Sequence, residues 1–231
     1  MPEMYKIYDA YSANYDELVN HEDCDKNFKN ALLSICGWTG KTVVEAGVGT
    51  GRVTAVYAGI VKRIIAADRS IHMISAAKRN LSQYLNKIEF IVRDNLSLKD
   101  VASQNDIFIE GWSFGHIVCD MPDKIEEITK ALVNQALSLV KPEGKIIFIE
   151  TLGTGNEEPK PPVETLRKFY SLLENRYGFV RKEIRTDYLF ETVEEASRIL
   201  GFFFGEEMSQ LVKKLGNKRF PECTGIWIKQ K

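Results

Sequence analysis

From residue 42 onward, short apolar β-branched runs alternate with longer stretches whose apolar positions recur every three or four residues. Residues 42–46, 63–67, 88–92, 107–110 and 145–150 read as strands, and 51–59, 71–84, 123–140 and 163–177 as helices. Near-continuous apolar strands between amphipathic helices predict a parallel sheet covered on both faces. Ahead of them, residues 4–18 and 25–35 are helix candidates. The first carries Tyr5, Tyr8, Tyr11 and Tyr15 at spacings of three and four, hence on one face. Lys141-Pro142-Glu143-Gly144 reads as a turn, and Gly153-Thr154-Gly155 with Pro159, Pro161 and Pro162 as a loop. Strands at 179–189 and 225–229 complete a set of seven. The roughly 35 residues between these last two hold helix candidates at 193–200 and 206–215, on either side of Phe202-Phe203-Phe204.

The first strand runs directly into the glycine turn Glu45-Ala46-Gly47-Val48-Gly49-Thr50-Gly51. Glycines allow backbone conformations that a side chain obstructs, so this turn can lie against a ligand. Amide groups at the start of the next helix suit an anionic group and Glu45 suits a cationic one, a pair of demands that a zwitterionic amino-acid tail meets. A second acid, Asp68, ends the second strand about 20 residues after the glycines, where doubly wound folds hold a ribose. A nicotinamide-binding domain shares that acid, but its fingerprint is G-x-G-x-x-G. The plainer alternative is a βα turn whose glycines only bring helix and strand together; two placed acids and strands in order weigh against it.

The pattern E-x-G-x-G-x-G resembles motif I of the class I S-adenosylmethionine-dependent methyltransferases, and the resemblance continues to the C-terminus. It implies a Rossmann-like α/β fold: a doubly wound seven-stranded sheet, mostly parallel, with an antiparallel last strand. The chain then reads as one methyltransferase domain over 1–231. Within it, 1–40 form an N-terminal helical lid, 41–187 the cofactor-binding core, 188–222 a helical insert between the last two strands, and 223–231 the last strand. The implied cofactor is S-adenosylmethionine. Under the resemblance Gly47, Gly49 and Gly51 make room for its methionine and ribose portions, Glu45 attracts its ammonium, and Asp68 accepts from the ribose hydroxyls. Arg69 and Met73 border the adenine, although the family often has an apolar residue where Arg69 stands. Asp94, with Asn95 beside it, matches the position that contacts the adenine amino group and a ring nitrogen, while as a lone acid it equally suits a turn or helix cap. Tyr15, within Tyr11-Ser12-Ala13-Asn14-Tyr15-Asp16, resembles the Y-x-x-x-Y-D segment that folds over the cofactor. Alternatively, the tyrosines are the packed face of an amphipathic helix.

After the fourth strand, Glu110-Gly111-Trp112-Ser113-Phe114-Gly115-His116 stands where the family places the residues nearest the transferred methyl, and Glu110 and Gly111 count among the expected cofactor contacts. The segment contains no Asp- or Asn-Pro-Pro-aromatic tetrapeptide and no acid–amide metal-ligand pair, so base-directed and metal-dependent subclasses lose ground. His116 is the candidate general base; its other reading is a cap or loop support. Displacement at an activated sulfonium needs alignment and water exclusion more than it needs a base. His21-Glu22-Asp23-Cys24-Asp25 has no recognised ligand spacing, and no metal is expected.

Composition narrows the acceptor. A chain of 231 residues with 44% hydrophobic content suits one domain with an insertion. A net charge of −1 and the lack of a basic run beyond local pairs such as Lys213-Lys214 disfavour nucleic acid and leave a small-molecule acceptor. There is no apolar run near the roughly 20 residues that span a membrane. Cys24, Cys36, Cys119 and Cys223 form no C-x-x-C pair, and the N-terminus lacks a signal-peptide core, which reads as a cytoplasmic protein with reduced thiols. Phe202 to Phe204 read as core of the insert, packing against the sheet or another subunit, and only secondarily as a wall for an apolar substrate, so a homodimer is one assembly to expect. Two rival readings remain: a catalytically inactive S-adenosylmethionine-binding sensor or partner subunit, and an NAD-dependent oxidoreductase.

Overall fold

The computed structural model of the chain describes residues 11–98 and 100–231, so Tyr5 and Tyr8 of the tyrosine face lie outside the described residues. Among the described residues, two short helices, α1 (Ser12–Asn20) and α2 (Asn27–Leu33), precede β1 (Thr42–Ala46). Then follow α3 (Arg52–Tyr57), β2 (Arg63–Asp68), α4 (Ile71–Asn80), β3 (Ile88–Val92), β4 (Asn105–Gly111), α5 (Phe114–Asp120), α6 (Ile125–Leu139), β5 (Val140–Thr154), α7 (Glu164–Asn175) and β6 (Val180–Arg185). The chain ends with β7 (Tyr188–Leu189), α8 (Val193–Phe204), α9 (Glu206–Leu215), β8 (Arg219–Phe220) and β9 (Glu222–Gln230).

Residue alternation along the strands builds two cores. Val43, Ile64, Ala66, Ile107 and Ile109 pack toward α3 and α4 through Val53, Tyr57, Ile74 and Ala77. Val44, Ile65, Ala67, Phe108 and Phe148 pack on the other face, against α6 and α7 through Leu132, Val133, Phe169 and Leu173. Seven strands lie in the order β3-β2-β1-β4-β5-β9-β6, and β9 runs antiparallel to both neighbours, with Phe148 and Arg181 flanking Trp227. This is the doubly wound sheet expected from the sequence. Strand order reverses between β1 and β4, where such folds open a crevice at the carboxyl ends of the strands.

Several local expectations need correction. The helix expected over 71–84 stops at Asn80 and continues as a 3-10 turn from Ser82 to Lys87. Lys141 to Gly144 do not separate helix from strand: they bulge within β5, where the pairing with β4 shifts between Asn105 and Ile107 and Glu143 adopts φ 65°. The strand expected over 179–189 breaks because Asp187 redirects it. The buried Asp187 carboxylate takes Arg185 at 2.8 and 3.0 Å, Arg219 at 2.7 Å and the Glu222 amide at 3.2 Å. Beyond it, Tyr188 pairs with Phe220 in a separate two-stranded ribbon. In the insert, α8 runs through Phe202-Phe203-Phe204 and stops at Gly205, whose φ of 95° suits glycine.

The insert and α1 share a third core. Leu18 packs with Tyr188, Phe190, Ile199, Leu200, Phe203, Val212 and Phe220, and Tyr11 meets Phe202 edge-on at 5.7 Å. Arg198 of α8 holds Glu17 of α1 at 2.5 Å. Among the described residues, no helix is long and apolar enough to cross a membrane.

Candidate active site

A cavity lies at the carboxyl ends of β1, β2 and β4. Gly47 and Gly49 form one wall, Asp68, Arg69, Ser70 and Met73 another, Asp94 and Asn95 a third, and Gly111, Trp112, Ser113, His116 and Ile117 a fourth. Tyr15 of α1 closes on them. Ten of the sequence candidates therefore meet around one space: Tyr15, Gly47, Gly49, Asp68, Arg69, Met73, Asp94, Asn95, Gly111 and His116.

Asp68 couples two walls. Its Oδ2 accepts from the Gly49 amide at 2.8 Å and its Oδ1 from the Ser70 amide at 2.8 Å. Burial raises its pKa against those two hydrogen bonds. Gly49 has φ 54°, and a Cβ there would meet nothing within 4 Å, so the turn shows bare backbone to the cavity. On the opposite wall Asp94 Oδ1 accepts from the Leu96 amide at 2.9 Å, which fits the turn role open to it from sequence. Its cavity position leaves a ligand role open as well. Asn95 is held through its backbone carbonyl by Gln135, while its buried Oδ1 has no hydrogen-bond partner among the described residues. An orphaned acceptor beside the cavity suits a donor on a ligand.

The fourth wall is a helix that the sequence reading missed. Trp112 takes φ 53°, its amide donates to Ile149 at 2.7 Å, and α5 begins two residues later. Two buried acids hold that start. Glu110 Oε2 accepts from the Ser113 amide at 3.2 Å, the Ser113 hydroxyl at 3.0 Å and the Phe114 amide at 3.3 Å, while its Oε1 takes the Ile149 amide at 3.2 Å. Glu150 Oε1 accepts from the Gly115 amide at 2.6 Å. Burial, joined for Glu150 by the nearby charge of Glu110, pushes both acids up, Glu110 to about 8. His116 follows on α5, and burial lowers its pKa against the opposing charge of Asp120, so the neutral ring is favoured.

Three expected contacts fall elsewhere. Glu45 shares the sheet face of Val43, which turns its carboxyl under α3. There Oε2 takes the Thr54 hydroxyl at 2.5 Å and the Tyr57 hydroxyl, and Oε1 has no hydrogen-bond partner among the described residues. Burial pushes its pKa up to about 7. Gly51 is not at the cavity; it precedes α3 with φ 92°, and a Cβ would come within 2.7 Å of Leu81. Glu110 serves the start of α5 as described. The six-residue α3 also gives less helix to direct at an anion than the 51–59 helix expected from sequence.

Ser70, Trp112, Ser113 and Ile117 line the cavity without having been singled out. Three of them lie within or just after the segment flagged behind β4, so only its helical phase was lacking. Arg52 is the larger omission. Its guanidinium lies 4.0 Å from the centre of the Trp112 ring and 2.8 Å from Glu22. The His21 to Asp25 run, examined for metal spacing, disperses to separate partners: His21 to the Leu189 carbonyl, Glu22 to Arg52, Asp23 to the first amides of α2, and Asp25 to Arg219.

Residues 43–144 match the methyltransferase domain family. An uncharacterized methyltransferase of Bacillus velezensis is 25% identical over 191 residues, covering 80% of this chain and 82% of its own. The uncharacterized methyltransferase YrrT of Bacillus subtilis is 23% identical over 177 residues, covering 74% and 78%. Among solved structures, the DhpI–SAM–HEP complex shares the fold with a TM-score of 0.54 at 19% identity, over 97% of this chain and 95% of its own. The chain thus carries a methyltransferase domain over residues 43–144 and is similar to methyltransferases along most of its length.

Proposed function

We propose that S-adenosylmethionine occupies the cavity between the glycine turn and Tyr15, and that the chain transfers its methyl group to a small-molecule acceptor without a metal. The observation that carries this reading is the joint placement of Asp68 and the bare Gly49 backbone on one cavity, clasped at 2.8 Å. Asp68 is then the acceptor for the ribose hydroxyls, Met73 the apolar border of the adenine, and Asn95 Oδ1 the acceptor for a donor on the base. Glu45 supports the turn from below rather than touching the ligand.

The bound cofactor supplies a methyl group on a positively charged sulfur, which is already a good leaving group. The protein's part is to align the acceptor and keep water out. Tyr15, whose phenol burial holds at about 12, stays protonated and covers the cavity as a hydrogen-bond donor. His116, kept neutral by burial, is in this reading the group that takes a proton from the acceptor. We read the protein as cytoplasmic.

The test is release of S-adenosylhomocysteine on incubation of the protein with S-adenosylmethionine and panels of small hydroxyl, amine and carbon-acid acceptors. Release above the acceptor-free rate is expected for at least one panel. Binding without any turnover supports the sensor reading instead.

A further inference from the structure

Three buried polar side chains from separate parts of the chain meet behind Tyr15 and Trp112. Glu22 comes from the segment after α1, Arg52 from the start of α3, and Glu222 from the start of β9. Glu22 and Glu222 side chains are almost wholly buried. Arg52 Nη2 approaches Glu22 Oε1 at 2.8 Å, but neither atom makes an aligned hydrogen bond among the described residues, and Glu222 Oε2 has no hydrogen-bond partner among them at all. Thr151 donates to the other oxygen of Glu222 at 3.0 Å. Arg52 Nη2 and Glu22 Oε1 pair with each other as ions, which leaves Glu222 Oε2 as the one of these buried atoms without a partner; buried polar groups are nearly always paired, so it points to something that completes it.

Location says where that partner sits. Thr154 pairs with Glu222 at the carboxyl end of β5, so the cluster lies on the same edge of the sheet as the cofactor cavity, beneath α1 and the insert. Arg52 lies against Trp112, a wall of that cavity, and Tyr15, another wall, feels the charges of both Arg52 and Glu22. Glu22 is held by Arg52 and by the Tyr188 hydroxyl, and Thr151 serves one oxygen of Glu222, so the acceptor that calls for a donating ligand is Glu222 Oε2. Phe28, Trp112 and Tyr188 give the surroundings an aromatic lining.

We propose that Glu22, Arg52 and Glu222 form the acceptor subsite and that it takes a small molecule bearing an amine next to an apolar body. This rests on the methyltransferase reading above. The amine donates to Glu222 Oε2 and to Glu22, and Arg52 keeps Glu22 in place. Burial, with the charge of Glu22 behind it, pushes Glu222 to about 8, so the carboxyl is poised to ionise when a cation arrives beside it.

The test titrates the protein, saturated with S-adenosylhomocysteine, with benzylamine and with the shape-matched benzyl alcohol. Benzylamine is expected to bind about tenfold or more tightly than the alcohol, as a charged hydrogen bond requires. Glu222→Gln and Glu22→Gln should each erase that preference while leaving S-adenosylhomocysteine affinity unchanged; the second variant decides the matter if the first does not fold. Equal binding of the two probes, no benzylamine binding to the loaded protein, or a preference that survives the substitutions overturns the subsite. Failure of the wild-type protein to bind S-adenosylhomocysteine overturns the methyltransferase reading itself, and the subsite with it.

Discussion

The Gly49 amide donates to Asp68 Oδ2 at 2.8 Å, so the acid that ends β2 also fixes the glycine turn that follows β1. One carboxylate thereby shapes the backbone of the cavity and lines the same space. Asp68→Ala is expected to weaken S-adenosylmethionine binding by about 1–3 kcal/mol, the cost of leaving polar partners unpaired. Calorimetry on the variant checks this, and unchanged affinity removes the ribose assignment.

The two glycines of the turn should fail differently. A side chain at Gly49 enters cavity space, whereas one at Gly51 collides with Leu81. Gly49→Val is expected to abolish cofactor binding in a chain that still folds, at a backbone cost of about 1–3 kcal/mol. Gly51→Ala is expected to lower the denaturation midpoint through packing and strain. If Gly49→Val binds normally, the turn does not lie against the cofactor.

Glu45 links the fold to pH. Its carboxyl titrates at about 7 in the folded chain against 4.5 for the ordinary group, because burial disfavours the charge. The folded state holds the proton more tightly, so this contribution is complete below about pH 4.5 and is lost as pH rises toward 7. The difference between 7 and 4.5 corresponds to at most about 3–4 kcal/mol. Denaturant unfolding of Glu45→Gln should therefore show a shallower loss of stability over that range than the wild type. Identical slopes would contradict the assignment. Glu110, Glu150 and Glu222 are raised in the same direction, so some slope should persist.

The start of α5 depends on Glu110. Glu110→Ala removes the acceptor for the Ser113 and Phe114 amides, and hydrogen exchange at those amides should quicken by roughly tenfold or more, since each such bond is worth about 1 kcal/mol. Because Ser113, His116 and Ile117 line the cavity, S-adenosylhomocysteine affinity should fall with it. Exchange that stays at the wild-type rate would show that α5 is held by packing alone.

Strand periodicity made the sheet legible because its strands are buried on both faces and read as plain apolar runs, and because the glycine turn and Asp68 sit at fixed distances along one βαβ unit. Facing was harder to read. Glu45, Gly51 and Glu110 were placed in the right region, but a one-residue alternation decides whether a side chain meets ligand or helix. Arg52 and Glu222 gave no local signal, since their meaning comes from a Glu22 partner 30 residues away in one case and from the closing strand in the other. Asp187 likewise ends a strand through long-range ion pairs that no turn residue announces.

The most direct measurement is calorimetric titration of the purified protein with S-adenosylmethionine, S-adenosylhomocysteine and NAD. Saturable binding of the first two, with no binding of NAD, is the expected result. Binding of NAD alone, or of none of the three, would contradict the central claim.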